Sequence, residues 1–418
     1  MRRFHPVACA FVLLAQTGCT GFSHHSFNVR TFGAAGDGTT KDTAAFQQAI
    51  NACADAGGGV VSVPAGDYLI GSIELRSYTT LRLEKGAHLI GSPDLADYPV
   101  VPVRWEGCWV DGHRALIDAR EASGLAVIGP GTISGSPALG GREMPRRPVL
   151  IETITCFNIR LEGFATEQTA MGSIHPTYCS QFLARNLTVR STGHNGDGID
   201  VDSCMHARIE NCHFDTGDDC IALKSGRGME GYRLARATED VLISGCWLGD
   251  SNFAGIGIGS ETSGGIRNVR IEHCTFTHAK TSAVYIKSNS GRGGFIADVS
   301  ARDLDVATAP GDFLRINLIS SGSPGADPVT GDDGIPSARN FSFENIKADC
   351  GTLVDAGRIS PVKPLEGFSL VNVSGTCTQG MTLANMTNVV LRHIRAAGYT
   401  GPLLTRTNVQ GAGLETLK

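Results

Sequence analysis

A short unit returns nine times from residue 159 onward and limits the choice of folds more than any other feature. Positions one, three and six of each unit are apolar, and position five is Asn, Gly, Asp or His. The units are 159–164, 182–187, 207–212, 241–246, 269–274, 299–304, 341–346, 368–373 and 389–394. Alternation with a period of two predicts strands. Successive units lie 21 to 42 residues apart, a spacing typical of solenoids.

Coils this short leave no room for a helix between every pair of strands. We therefore predict an all-β fold, a single-stranded right-handed parallel β-helix. Two longer intervals predict inserted loops near residues 226–239 and 320–336, which are rich in Gly, Pro and Asp. Cys212, Cys246 and Cys274 occupy the same position of their units, so we expect them to stack as one interior row.

The end of a solenoid exposes its core and therefore needs a cap. Residues 42–56 predict a capping helix with Asp42 at its N-cap. Its apolar face consists of Phe46, Ala49, Ile50 and Cys53. Residues 25–75 would form this cap and the first strands, and 76–418 the catalytic β-helix domain.

The first residues resemble an export signal. Arg2 and Arg3 precede an apolar run that is too short to span a bilayer, and Gly18-Cys19 could end a lipoprotein signal. We therefore predict a signal peptide over residues 1–24, with lipid attachment at Cys19 as an option. The mature protein would be periplasmic or extracellular and would have no transmembrane segment.

The charge balance limits the partners. The 418 residues carry a formal net charge of −5, so no basic surplus supports nucleic-acid binding. An acidic polysaccharide stays possible if lysines or arginines line the site locally. We predict a monomer that needs no cofactor.

The predicted strand register brings three aspartates close together. Four segments share one apolar pattern: 197–203, 219–225, 254–260 and 282–288. Stacked as parallel strands about 4.8 Å apart, they bring Asp197, Asp218 and Asp219 together. Like charges so close raise at least one pKa, and a carboxylic acid beside carboxylates is what cleavage of a glycosidic bond requires.

The same register predicts a cleft for a sugar chain. Its outward positions are Asp200, Asp202, Lys224, Gly257, Gly259, Tyr285 and Lys287. Glycines would let a pyranose approach the backbone, and Lys287 could bind a uronate carboxylate. We assign Asp200, Lys224, Tyr285, Lys287 and the nearby His194 to substrate binding. The alternative is that the Asp and Ser side chains only cap turn amides.

Five segments, within a likeness that spans about residues 28–400, resemble the polygalacturonase family of glycoside hydrolases (glycoside hydrolase family 28). They are 32–38, 63–68, 174–176, 217–226 and 259–265. The resemblance implies hydrolysis by single displacement with inversion and without a metal. It assigns Asp218 as the acid that protonates the leaving oxygen, and Asp197 and Asp219 as the groups that activate water.

Three departures from the family's pattern affect the site. Gly196 replaces a Thr of Asn-Thr-Asp, which keeps the carboxylate at Asp197. Ala254 replaces a His, for which His194 is a possible substitute. Tyr285 replaces an Arg that grips galacturonate, and Tyr cannot reproduce a bidentate guanidinium.

Three functions are compatible with these residues. The first is an inverting hydrolase that acts on homogalacturonan or on the alternating rhamnose–galacturonate backbone. The second is a polysaccharide lyase with Ca²⁺ bound by Asp197, Asp200 and Asp202, a function that gives the 218–219 pair no role. The third is a non-catalytic carbohydrate-binding solenoid.

Overall fold

The computed structural model describes residues 25–415, except 140–146, 192, 324 and 326. The predicted signal peptide and Cys19 lie outside the described residues, and the division at residues 75 and 76 stays a prediction. The strands form a right-handed parallel β-helix, as predicted. Among the described residues, no helix is long and apolar enough to cross a membrane.

Three parallel sheets run along the solenoid, and its last strands turn corners from one sheet to the next. The sheet that carries the predicted acids, called the site sheet, contains Ile73–Glu74, Ile117–Arg120, Ile151–Ile154, Ile174–Thr177, Ile199–Asp202, Ile221–Lys224, Ala254–Ile258, Ser282–Lys287 and Asp312–Asn317. The second sheet contains Ser26–Asn28, Gly59–Val63, Thr79–Leu83, Ser123–Ile128, Phe157–Glu162, Ser180–Arg185, Met205–Glu210, Thr238–Ser244 and Ile266–Glu272. The third sheet contains Asp37–Lys41, Gly66–Ile70, Ala87–Gly91, Thr132–Ser134, Ala165–Glu167, Thr188–Arg190, His213–Thr216, Trp247–Ser251 and Thr275–Ala279. The corner-turning strands are Phe295–Ala307, Ser337–Arg358, Leu365–Ala397 and Leu404–Ala412.

The repeat units lie where the pattern predicts. The first eight units pair in register along the second sheet, each of the first seven with the unit that follows it. Their apolar positions are buried inside the solenoid, and the row of Cys212, Cys246 and Cys274 is buried with them. Because a slip of one residue would turn these apolar side chains outward, the pattern itself fixes the register.

The capping helix α1 spans Thr43–Asp55, and the predicted apolar face is buried. Asp42 occupies the N-cap, but its side chain makes no cap hydrogen bond. Its carboxylate instead accepts hydrogen bonds from the amides of Ala35 and Gly36 at 2.7 and 2.9 Å. The predicted capping contact is therefore replaced by hydrogen bonds that connect the start of the helix to the preceding loop.

Two inserts beside the site sheet differ from simple loops. An antiparallel hairpin, Val100–Trp105 with Cys108–His113, leaves the solenoid and is here called the cleft hairpin. The segment predicted as a loop near 226–239 contains a short helix, α2 (Gly228–Leu234). In the part of the chain that the structure describes, four 3₁₀ helices complete the elements: Val29–Phe32, Leu95–Asp97, Pro137–Leu139 and Gly331–Gly334.

Candidate active site

The predicted register of the site sheet is confirmed. Ile199 pairs with Ile221, Ile221 with Ile256, and Ile256 with Val284. These four side chains are fully buried, so the residues that flank them are held at fixed heights along the solenoid. The segments that carry Asp197 and the 218–219 pair therefore lie on adjacent coils.

Asp219 is buried and held from two sides. One carboxylate oxygen accepts a hydrogen bond from the Ala254 amide at 3.0 Å, and the other lies 2.8 Å from the ammonium of Lys287. Gly257 leaves the space for this carboxylate, since a Cβ there would lie 3.0 Å from Asp219 Cγ and closer still to Oδ2. The space that we predicted for a sugar at this glycine thus holds a carboxylate.

Lys224 joins two other carboxylates. Its ammonium lies 3.0 Å from Asp197 Oδ2 and 2.8 Å from Asp200 Oδ1. All three side chains are largely buried. The burial cost of the lysine charge is therefore offset by two acids at once.

Asp218 is partly exposed, whereas the neighbouring Asp219 is buried. Its Oδ1 accepts a hydrogen bond from the Asp219 amide at 3.0 Å. Its backbone carbonyl accepts from the hydroxyls of Thr216 and Ser251 at 2.7 and 2.8 Å. The backbone at Asp218 is fixed while its side chain stays accessible.

The surroundings push the pKa values of these acids apart. Burial, followed by the charges of Asp197 and Asp219, raises the pKa of Asp218 to about 7. Burial also raises the pKa of Asp219, and Lys287 opposes that effect. For Asp197, burial acts upward, but the Lys224 charge and its hydrogen-bond partners outweigh it and the pKa is lowered. One group therefore holds a proton near neutral pH while another is ionised.

His175 lies in the same site, although our sequence reasoning gave it no role beyond the segment 174–176. It lines a small cavity together with Asp197, Asp200 and Lys224. Burial and the Lys224 charge lower its pKa to about 4, so its imidazole is neutral at ordinary pH. Burial and the charge of Asp197 raise the pKa of Asp200 well above its usual value.

The cleft hairpin covers the N-terminal side of this cluster. Arg104 is fully buried and lies 3.3 Å from Asp202 and 2.6 Å from Glu230 of α2. Glu106 at the hairpin turn pairs with Arg227 at 2.7 Å. Trp105 lines the small cavity beside the acids. Asp202, which we predicted on the cleft surface, thus anchors the hairpin.

The comparisons with known proteins fit this geometry. Residues 53–308 match the model of the family described as "Glycosyl hydrolases family 28". The chain belongs to this family.

Relatives and solved structures of polygalacturonases agree with the assignment to family 28. A "Probable polygalacturonase" of Vitis vinifera is 30% identical over 377 residues, 86% of this chain and 74% of the relative. A hyperthermoactive exopolygalacturonase from Thermotoga maritima superposes with a TM-score of 0.73 at 27% identity, covering 93% of this chain and 92% of that one. The exopolygalacturonase of Yersinia enterocolitica gives 0.78 at 21% identity, over 92% and 78%. The protein is accordingly a glycoside hydrolase with a polygalacturonase-like function.

The C-terminal side of the site contains Tyr285, which replaces an Arg of the family's pattern. The Tyr285 hydroxyl lies 3.2 Å from the Ser321 hydroxyl, and the Lys287 ammonium lies 4.4 Å from the Phe253 ring centre. Lys287, which we predicted as a uronate ligand, is also the ion-pair partner of Asp219. His194 is exposed, and its carbonyl accepts a hydrogen bond from Arg147 at 3.1 Å.

Proposed function

We propose that this protein hydrolyses glycosidic bonds of a galacturonate-containing pectic polysaccharide or oligosaccharide by a single inverting displacement. Asp218 donates its proton to the leaving glycosidic oxygen. Asp197, kept ionised by Lys224, accepts a proton from the attacking water. Asp219 orients that water, and the Lys287 ammonium balances the negative charge of Asp219.

The observation that carries this proposal is the unequal protonation of acids on neighbouring coils. An inverting hydrolase needs one carboxylic acid and one carboxylate on opposite sides of the bond. The pKa of about 7 for Asp218 gives it a proton to donate near neutral pH, and the lowered pKa of Asp197 makes it a base. The names of the relatives support a polygalacturonate substrate.

The decisive variant is Asp218→Asn, which keeps the shape of the side chain and removes the acid. We expect the release of reducing ends from polygalacturonate to fall by about 10²- to 10⁴-fold, with binding retained. Asp305→Asn is the matched control, because this aspartate is 58% exposed and pairs with the exposed Lys347 at 3.7 Å. An Asp218→Asn variant with wild-type turnover would exclude Asp218 as the acid.

The alternating rhamnose–galacturonate backbone is the other substrate to compare, because Tyr285 stands where the family carries an Arg. A panel of defined galacturonan and rhamnogalacturonan oligosaccharides will show which one is cleaved. Measuring ultraviolet absorbance with and without a chelator tests the lyase alternative, since a lyase leaves an unsaturated end. In the structure, Lys224 contacts Asp197 and Asp200, where that alternative needs calcium.

The cleft hairpin supports a second element of the proposal, attack near a chain end. A sugar chain lying along the site sheet toward its N-terminal coils would meet the hairpin, whose Arg104 reaches both Asp202 and α2. The similar structure from Thermotoga maritima is named an exopolygalacturonase. We expect one short product from the first minutes and a slow loss of polymer viscosity. A ladder of oligomers with a rapid loss of viscosity would contradict end attack.

A further inference from the structure

A further cation, Arg315, lies on the cleft side of the site sheet, one coil beyond Tyr285. Gly257 pairs with Tyr285, Tyr285 with Arg315, and Arg315 with Asp355. Neighbouring strands are about 4.8 Å apart, so the backbone of Arg315 lies roughly 10 Å beyond that of Gly257. This position is one coil farther from the acids than Lys287. It can therefore serve a sugar unit next to the one that the sequence predicts at Lys287.

The Arg315 guanidinium is held along one edge. Its Nε and Nη2 both donate to the same oxygen of Asp312, at 2.9 and 2.6 Å. Asp312 is buried, and its other oxygen accepts a hydrogen bond from the Thr352 amide at 3.1 Å. The guanidinium carbon lies 5.8 Å from the ring centre of Tyr285. These contacts fix the plane of the group before any ligand arrives.

The end of this guanidinium, which carries Nη1 and the second N–H of Nη2, is available. The Arg315 side chain is 34% exposed, and within the described part of the chain no hydrogen bond from its Nη1 is found. Asp355 is the other nearby carboxylate, with Oδ2 at 3.8 Å from Nε, too long for a hydrogen bond. The Nη1–Nη2 edge matches the two oxygens of a carboxylate, the pairing that a guanidinium favours.

We propose that Arg315 is a specificity-determining residue that binds the carboxylate of a uronate unit one coil farther from the acids than Lys287. The unit at this position must then carry a free carboxylate rather than a methyl ester. The inference rests on the proposed function, because it takes the ligand to be a galacturonate chain. In this proposal, Arg315 on the next coil supplies the positive charge that is missing at Tyr285, where the family has an Arg.

The test compares tetragalacturonate with its methyl-esterified form in Arg315→Gln and Arg315→Lys. A hydrogen-bonded charged pair contributes about 1.5–3 kcal/mol, so Arg315→Gln should raise KM for the free acid about 10- to 100-fold. We expect kcat to change less than about threefold and the preference for the free acid to shrink by the same factor as KM rises. Arg315→Lys should restore only part of the loss, because an ammonium cannot pair through two parallel bonds.

Arg302→Gln is the control, since this arginine is 55% exposed on the second sheet and pairs with Glu272. Equal losses for acid and ester in Arg315→Gln would indicate a merely structural role and overturn the inference, as would unchanged KM values. Calorimetric titration of tetragalacturonate in an Asp218→Asn background separates the two proposals. Binding that weakens with Arg315→Gln while the wild type shows no hydrolysis would refute only the proposed function. Hydrolysis with unchanged discrimination, or no binding at all, would refute the role of Arg315.

Discussion

Gly257→Ala tests the site by displacing one carboxylate without changing any charge. The added methyl group would lie 3.0 Å from Asp219 Cγ and 3.3 Å from Lys287 Cε, whereas ordinary contacts are 3.4–4 Å. Asp219 Oδ2 is closer still, so this oxygen must move by about 1 Å. A misplacement of about 1 Å can cost about 10²-fold in rate. We therefore expect kcat to fall by about two orders of magnitude.

The assay is the initial rate of reducing-end release from polygalacturonate, together with the melting temperature. Gly172→Ala is the matched control on the site-sheet side, because its methyl group would meet nothing closer than 3.8 Å. We expect this control to keep nearly full activity. Gly257→Ala with wild-type kcat and an unchanged melting temperature would refute the claim that the position of Asp219 matters.

Three further predictions concern charge. Because Asp218 must be protonated to act and its pKa is about 7, kcat/KM should fall as the pH rises through 7; a rate that rises there would contradict its role as the acid. Burial and the charge of Asp118 raise the pKa of Glu152 from 4.5 to about 8, so its contribution to stability is present below pH 4.5 and is lost as the pH rises through 8. Glu152→Gln should therefore melt above the wild type at alkaline pH, and a lower melting temperature there would contradict this reasoning. Arg104→Met leaves the buried Asp202 unpaired and should cost about 3–5 kcal/mol in the free energy of unfolding, measured by urea titration; a loss below about 1 kcal/mol would show that the hairpin is held by other contacts.

The sequence predicted the solenoid and the acid cluster because both depend on one local rule. Alternating apolar residues such as Ile199 and Ile221 must point inward, and that requirement sets the register. Once the register is set, Asp197 and Asp219 come together whatever their side chains contact. The local apolar pattern of the repeat therefore predicts which residues far apart in the sequence lie close together.

The parts that the sequence did not predict lack such a rule. The cleft hairpin does not follow the repeat, and its anchor joins Arg104 to Asp202, 98 positions apart. The pairing of Lys287 with Asp219 depends on the direction of a long side chain rather than on register. No sequence motif distinguishes Arg315 from the other arginines, and only the structure shows that it lies on the coil next to Tyr285. A search for charged residues one repeat beyond each departure from the family's pattern would have found it.

The most direct test is a crystal structure of the Asp218→Asn variant with a bound galacturonate oligosaccharide. We predict that a glycosidic oxygen lies within about 3 Å of the side chain at position 218, with a water molecule between Asp197 and Asp219 on the opposite side of the sugar. A bound oligosaccharide whose linkages all lie beyond the reach of position 218 would contradict the account.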